Sequence, residues 1–495
     1  DAAPVHDLGI TRAHYLFERD PARIRRQLAL ADLSEALRSR RVLVLGGGDI
    51  VARARRTFAT GRWPPSDAVV GDAESYADAL EASREAARIP VEVAEEIEAY
   101  YRSEAYARRA VRIARGEEAP RVLFLTSRWT TVLQHVCADF RRGMESHGCR
   151  CRTLIEEHDA ERLLARSHVD AIARLRPDML FSVSHGRPTF RLAILQLPIV
   201  CYLMDRCGPI LDLPRLDEAI GPLDLFLCIC GPYMDLLRRK GVPEAQVLRA
   251  APTPADERVF RPLDPGDLRL APHDADVAFV KHGGIGPEEA WAIWLAREFP
   301  QEGGAAARDG RALFGRVHAR LMPDLHRHWY EEEVKDLLCA MLPHRTRAAW
   351  GHRLEALLAG YMTTVYAVAY RQQFLAPLAE AGVRLRLVGN GWDRNPRYAP
   401  FAAGPVARGE ASNLVYNAAR IQLHIHQEMS LHQRIVEGGL AGAFFLIHRQ
   451  DPGKDWAPLA PWFAEGEDLV VSASVADVGE AVVSIGTDTA GSIRQ

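Results

Sequence analysis

Residues 430–447 read SLHQRIVEGGLAGAFFLI, and this stretch is the most informative part of the chain. The apolar run at its end, Phe444 to Ile447, is typical of a buried strand, and residues 421–426 before it predict a second strand. The polar segment between them predicts a short helix that begins near Ser430 or Leu431. A strand, a loop, a helix and another strand in this order indicate an open α/β sheet, in which polar groups gather at the loops.

The polar groups of this segment predict a site for an anionic ligand. Free backbone N–H groups and the positive end of the dipole lie at the start of the helix. Arg434 follows within about one turn and can bind phosphate oxygens, while Glu437, one turn further, can accept hydrogen bonds from both hydroxyls of a ribose. Glycines such as Gly438 let the backbone approach a ligand or a strand. We therefore expect a nucleoside diphosphate here, with an Arg434–Glu437 ion pair on an ordinary helix as the alternative.

Two other loops that follow predicted strands carry further candidates. Lys281 follows a strand predicted at 276–280, in a chain with only four lysines, and can neutralise a diphosphate. Asn390 and Gly391 end a strand predicted at 383–389 and can admit the base or the phosphates of a nucleotide. A solvated loop for Lys281 and a plain turn at Asn390 stay open as alternatives.

Three histidines near the helix raise the question of a metal site. His424 and His426 alternate on one strand, and Glu428 and His432 follow. Zinc sites usually combine such ligands with defined spacers, and strand-end histidines are often satisfied by packing. We expect no metal and no cofactor, and we place His426 or His432 near the phosphates instead.

Composition limits the class of protein. A chain of 495 residues is expected to form two or three domains, and a formal net charge of −3 argues against a broad nucleic-acid surface. The eight cysteines have no regular spacing, which favours reduced, structural thiols. No apolar run approaches the ~18 residues of a membrane span and no signal peptide is visible, so we expect a cytoplasmic protein.

Strand and helix patterns divide the chain into three regions. Residues 1–118 are predicted to be mostly helical, with one strand at 41–45 that enters a glycine turn. Strands alternate with helices in residues 119–265 and again in 266–495, which predicts two Rossmann-like domains with mostly parallel sheets. A helical insertion at 287–352 interrupts the second of them, and the ligand is expected in a cleft between the two.

The chain also resembles a known family. The helix motif Arg434-x-x-Glu437 with its glycines, the preceding Tyr416-Asn417, and strands at 198–205 and 276–280 together resemble GT-B glycosyltransferases, and among them the spore-maturation CgeB-like group. The likeness covers roughly residues 121–285 and 366–482. His424 and His426 stand where the group usually has asparagines.

The resemblance implies a glycosyltransferase that moves a sugar, a hexosyl or related unit, from a nucleoside-diphosphate sugar to a hydroxyl-bearing acceptor. The donor would occupy the second domain without a metal ion, and a base from the first domain would deprotonate the acceptor. His185 and Asp205, which both follow strands, are equal candidates for that base. The spacing of Glu428 and Glu437 leaves retaining or inverting chemistry open.

Two other functions remain alternatives at this point. A nucleotide-sugar epimerase can share the two-domain fold and needs no acceptor. A non-catalytic scaffold of the same fold would bind the donor without turnover. The sequence indicates neither the acceptor nor the sugar.

Overall fold

The computed structural model describes residues 14–30, 32–63, 77, 81, 84–86, 88–130, 132–158, 160–190, 194, 196–204, 213, 215–217, 219–283, 285–325, 327–342, 344–427, 429–448, 451, 454–455, 458–460, 462–466 and 469–472. The chain divides into two units. The first contains Asp1–Ile229 and Tyr233–Ala250, and the second contains Cys230–Pro232 and Ala251–Gln495. The region 1–118 thus belongs to the first unit, whereas residues 251–265, which the sequence assigned to the first Rossmann-like domain, belong to the second unit.

The first unit begins with a small βα region. Strands β1 (His14–Glu18) and β2 (Val42–Gly46) pair in parallel, and helices α1 (Pro21–Ala29) and α2 (Ser34–Arg38) connect them. Helices α3 (Ile50–Ala59), α4 (Val91–Arg102) and α5 (Glu104–Ala114) follow. The predicted helices and the strand at 41–45 are present, but β1 is an additional strand. Its pairing with β2 buries Phe17 and Leu45 against Ile50 and Phe58 of α3.

Six parallel strands form the main sheet of the first unit, in the order β4-β3-β5-β6-β7-β8. The strands are β3 (Arg121–Leu125), β4 (Arg150–Leu154), β5 (Met179–Val183), β6 (Ile199–Leu203), β7 (Leu225–Cys228) and β8 (Val247–Arg249). Helices α6 (Leu133–Ser146), α7 (Ala165–Leu175), α8 (Arg187–Phe190) and α9 (Gly231–Arg239) connect them. The central strands β3, β5 and β6 are largely buried apolar runs because both faces of such a sheet are covered.

The second unit contains another six-stranded parallel sheet, in the order β11-β10-β9-β12-β13-β14. Its strands are β9 (Ala275–Val280), β10 (Leu385–Val388), β11 (Ala402–Gly404), β12 (Ala419–His424), β13 (Phe445–His448) and β14 (Leu469–Ser472). The prediction of an α/β fold with two Rossmann-like sheets is therefore confirmed. The strand that follows residue 430 is β13, and a short helix precedes it as predicted, but the helix begins at Gln433, two to three residues later than expected.

A helical insertion separates β9 from β10, as predicted. Its helices are α10 (Pro287–Glu298), α11 (Gly304–Leu321), α12 (Glu331–Met341) and α13 (His344–Tyr361). A π-helical turn (Met362–Tyr366) leads from α13 directly into α14 (Ala367–Glu380), and α15 (Glu410–Ala418) and α16 (Gln433–Leu440) complete the unit. The insertion shares one apolar core with the sheet, since Trp294 and Phe314 belong to the same cluster as Phe279 and Leu423.

Two further observations concern cysteines and helix length in the described ranges. None of the seven cysteines in the described ranges forms a disulfide. A search of the helices in those ranges finds none with the length and apolar character needed to cross a bilayer.

Candidate functional site

The strand order of the second sheet creates a crevice between β9 and β12. The chain runs outward from β9 through β10 to β11 and then crosses back to β12 on the other side of β9. Open α/β sheets bind ligands at such a reversal, beyond the carboxyl ends of the two strands. Lys281 follows β9 at this point, and His424 ends β12.

Arg434 reaches this crevice from α16. The Nδ1 atom of His432, the residue before the helix, accepts a hydrogen bond from the Arg434 backbone N–H at 3.3 Å. The Arg434 guanidinium donates from Nη1 to the carbonyl oxygen of Val280, the last residue of β9, at 2.6 Å. Its Nε and Nη2 atoms are buried and have no hydrogen-bond partner among the described residues. Burial lowers the pKa of Arg434, although nearby Tyr416 and Glu437 oppose this shift.

The three histidines lie together beside Arg434. Ring centroids are 5.7 Å apart for His424 and His432, and 5.6 Å apart for His426 and His432. Burial, with Arg434 and Lys281 adding to it, lowers the pKa of each imidazole well below its usual value. His424 is 1% exposed, and neither of its ring nitrogens has a partner in the part of the chain that the structure describes. The three rings are therefore neutral at pH 7.

His426 and His432 share one tautomer. The Nδ1 atom of His426 accepts from the Met429 backbone N–H at 3.3 Å, just as His432 accepts from Arg434. An imidazole nitrogen that accepts carries no proton, so the proton lies on Nε2 in both rings. Each ring therefore carries its proton on Nε2 while remaining neutral.

Glu437 is held by three protein donors. Its Oε1 atom accepts from Arg408 Nε and Gln433 Nε2, both at 2.7 Å, and its Oε2 accepts from the Tyr416 hydroxyl at 3.2 Å. The carboxylate is buried, and that burial raises its pKa, against the lowering effect of Arg408. A carboxylate has about four acceptor positions. Three are used here, so Glu437 keeps room for one more donor.

The loops after β9 and β10 are bound to each other. The Asn390 backbone N–H donates to His282 Nδ1 at 3.0 Å, and the Trp392 indole N–H donates to the Lys281 carbonyl at 2.8 Å. Gly389 has φ of 146°, and a Cβ there would lie 2.3 Å from the same carbonyl oxygen. The structure thus brings Lys281, Asn390 and Gly391 into one layer of loops at the carboxyl edge of the sheet.

Gly438 faces the interior of the unit. A Cβ on it would lie 2.4 Å from the Phe445 ring of β13 and 3.4 Å from Tyr416. Because Gly438 has no side chain, α16 can pack closely on the sheet. This packing fixes the distance of Arg434 and Glu437 from the strands.

Of the two candidate bases, His185 lies among the described residues and Asp205 does not. His185 follows β5 in the first unit, and its Nδ1 lies 2.9 Å from the Val183 carbonyl oxygen. Because a carbonyl only accepts, Nδ1 carries the proton and Nε2 is free to accept one. The preceding Ser184 has φ of 53°, so the chain turns sharply at the strand end. Asp205 and Glu428 lie outside the described residues.

Sequence reasoning missed several residues of this site. Arg408, Tyr416 and Gln433 hold Glu437, and Arg371 of α14 is buried near Arg434. The signal in the sequence was weak, since arginine is abundant throughout and three of these four residues lie outside the helix motif.

One group of potential metal ligands occurs among the described residues, in the first unit. Glu157, His158 and Glu161 can bring ligand atoms within 4.8 Å of one another. Arg62 already lies between the two carboxylates, 3.4 Å from Glu157 and 3.1 Å from Glu161. The guanidinium therefore balances their charge.

Residues 371–492 match a protein-family model described as "Glycosyl transferase-like". The matched range begins within α14 and holds β10 to β14 and the helix motif. No curated protein matches the chain at a significant level.

Several solved structures are similar to the chain in part. The Anabaena protein HepE in complex with UDP-glucose is 11% identical, with a TM-score of 0.41, over 75% of this chain and 90% of that one. Sucrose-phosphate synthase from Thermosynechococcus elongatus is 9% identical, also with a TM-score of 0.41, over 74% and 90%. The S. aureus MnaA–UDP structure is 11% identical, with a TM-score of 0.33, over 74% and 88%.

Proposed function

We propose that this protein is a glycosyltransferase that uses a nucleoside-diphosphate sugar and belongs near the CgeB-like group. The observation that carries the proposal is the guanidinium of Arg434, whose Nε and Nη2 atoms are buried without a partner in the described ranges. It lies at the reversal of a Rossmann-like sheet, within the range that matches the glycosyl transferase-like family.

Charge supports an anionic ligand. A buried cation without a counter-ion costs several kcal/mol, and a bound anion offsets that cost. Glu437 is the carboxylate whose charge acts on Arg434, and Arg408 already pairs with it at 2.7 Å. A diphosphate would accept from the two unpaired nitrogens of Arg434, as guanidinium groups commonly bind phosphate. Lys281 would add a second positive charge on the other wall of the crevice.

Neutral hydrogen-bonding groups complete the proposed site for the nucleotide sugar. The Nε2–H group of His432 would donate to a phosphate oxygen, with His426 beside it, and the one free acceptor position of Glu437 would take a single ribose hydroxyl. The loop with Asn390 and Gly391 would contact the base. Gly438 would act by keeping α16 close to the sheet.

The reaction needs a base for the acceptor hydroxyl. We propose His185, whose Nε2 is free to take the proton, with Asp205 as the alternative. As the acceptor oxygen bonds to the anomeric carbon, the bond from that carbon to the diphosphate breaks. The departing nucleoside diphosphate carries away the electron pair, and Arg434 with Lys281 stabilises its charge.

The proposal is tested by incubating the protein with UDP-, GDP-, CDP- and dTDP-sugars, with and without a panel of hydroxyl acceptors. We expect release of one nucleoside diphosphate together with a glycosylated product, and no loss of rate with EDTA, because the proposed site uses no metal ion. A changed sugar without an acceptor would instead show an epimerase. Binding without turnover across the panel would favour a scaffold.

A further inference from the structure

Arg371 is a buried arginine without a protein partner. Its side chain is 8% exposed, and among the described residues it takes part in no hydrogen bond or ion pair. Arg187 of the first unit shows what a structural arginine needs in this chain. At a similar depth it donates to both oxygens of Asp224, at 2.9 and 2.7 Å, and to the carbonyls of Ile194 and Leu197.

The helix that carries Arg371 lies along the anion crevice. Next to Arg371, the Gln372 side chain donates to the carbonyl of Ile285 in the loop after β9, at 2.8 Å. At the other wall, the Gln427 side chain, just after β12, donates to the carbonyl of Met362 in the π-turn, at 3.2 Å. The rod formed by the part of α13 after the kink at Gly351, the π-turn and α14 is thus tied to the loops that follow both strands bordering the crevice.

Arg371 and Arg434 lie close enough to affect each other's charge. Burial, together with the positive charge of Arg434, lowers the pKa of Arg371 to about 10. The pKa of His426 is also lowered by both arginines, so the three side chains share one environment. Both guanidinium groups remain charged at neutral pH, and two like charges buried together destabilise the ligand-free unit.

We propose that Arg371 is a second arginine of the anion site and binds, together with Arg434, the diphosphate of a nucleoside diphosphate. This inference rests on the proposed function and adds to it a phosphate-binding residue on the helix that continues from the insertion. The insertion is thereby linked to donor binding, because the part of α13 after Gly351 leads through the π-turn into the helix that carries Arg371.

The proposed role of Arg371 predicts how its replacement changes the stability of the ligand-free protein. A structural arginine stabilises the fold, whereas an arginine kept for a ligand costs stability until the ligand arrives. Arg371→Gln should therefore keep or raise the melting temperature of the ligand-free protein. The same change should weaken nucleoside-diphosphate binding about 10- to 100-fold, since a charge-assisted hydrogen bond contributes about 1.5–3 kcal/mol.

The experiment is titration calorimetry of the full chain with UDP, GDP, CDP and dTDP, then with the matching nucleoside monophosphate and with pyrophosphate. The variants are Arg371→Gln, Arg371→Lys and the control Arg353→Gln, which removes an exposed arginine from the same rod. We expect Arg371→Gln to lose affinity for the diphosphate and pyrophosphate more than for the monophosphate, and Arg353→Gln to match the wild type.

Two results would overturn the inference and leave the proposed function intact. One is an unchanged affinity in Arg371→Gln when Arg434→Gln has lost binding. The other is a melting temperature for ligand-free Arg371→Gln well below that of the Arg353→Gln control, which would show a structural arginine. Absence of binding by the wild type to every nucleoside diphosphate would instead refute the proposed function.

Discussion

At the scale of single residues, Glu437 is the most constrained group of the site. It accepts from Arg408, Gln433 and Tyr416 while buried, so its charge balances a guanidinium inside the protein. Removing one partner of a buried ion pair costs about 3–5 kcal/mol because the other charge stays behind.

We predict that Glu437→Gln lowers the free energy of unfolding by about that amount, measured by urea denaturation. Glu410→Gln is the matched control, because Glu410 pairs with Arg269 at 3.0 Å on the surface, where both side chains are about half exposed. Its cost should be roughly 0–1 kcal/mol. Equal effects of the two changes would contradict the buried pair.

His328 and His448 predict how stability changes with pH. Burial lowers the pKa of His328 to about 4 and that of His448 to about 3. In the unfolded chain both titrate near pH 6.5, so the unfolded state takes up protons first as the pH falls. Stability is therefore full above about pH 6.5 and is lost below it, by about 1.4 kcal/mol per histidine at pH 5.5.

We predict that His448→Phe, which places an apolar ring beside Phe374 and Tyr370, reduces this loss. The measurement is the melting temperature at pH 7.5 and pH 5.5 for both proteins. If the wild type and His448→Phe lost the same stability over this range, His448 would not be the buried neutral group described here.

The sequence could predict the residues of this site only in part. Arg434 and Glu437 stood out because they lie together on one short helix between two strands. Arg408 and Arg371 did not, since they approach the site from other elements, and Tyr416 was noted only as part of a family motif, without its contact to Glu437. Three protein groups already donate hydrogen bonds to Glu437. We therefore expect it to accept from one ribose hydroxyl, rather than from the two predicted from the sequence.

At the scale of elements, the loop after β10 depends on a glycine. Gly389 has φ of 146°, which side chains rarely adopt, and a Cβ would meet the Lys281 carbonyl at 2.3 Å. We predict that Gly389→Ala costs more than about 2 kcal/mol in unfolding free energy and weakens nucleotide binding, because the loop bearing Lys281 must move.

The control for this change is Gly382→Ala. Gly382 also has a positive φ, of 71°, but no atom lies within 4 Å of a Cβ placed there. It should cost only about 1–2 kcal/mol and leave binding unchanged. Similar binding losses in the two variants would show that the close contact at Gly389 has no special role.

The elements themselves were largely predictable, for identifiable reasons. Apolar runs of four to six residues bounded by glycine or polar residues marked the central strands, such as β3, β6 and β9. The three-residue strand β11 (Ala402–Gly404) lacks such a run, and the pairing of β1 with β2 depends on contacts distant along the chain. Such short edge elements form because the neighbouring strand provides hydrogen bonds, which no local pattern reveals.

At the scale of the whole molecule, each unit has its own parallel sheet and apolar core. The proposed ligand contacts described above all belong to the second unit, except the base His185. A ligand that binds only the folded state raises its stability by RT ln(1 + [L]/Kd), about 2.7 kcal/mol at one hundred times Kd. The ligand should therefore act mainly on the unfolding of the second unit.

The most direct test of the central claim is titration calorimetry of the full chain with nucleoside diphosphates, comparing the wild type with Arg434→Gln. We predict that the wild type binds at least one of UDP, GDP, CDP and dTDP. We also predict that Arg434→Gln weakens this binding at least about tenfold, because two donors to the diphosphate are lost. No binding by the wild type, or equal binding by both proteins, would contradict a diphosphate site at Arg434.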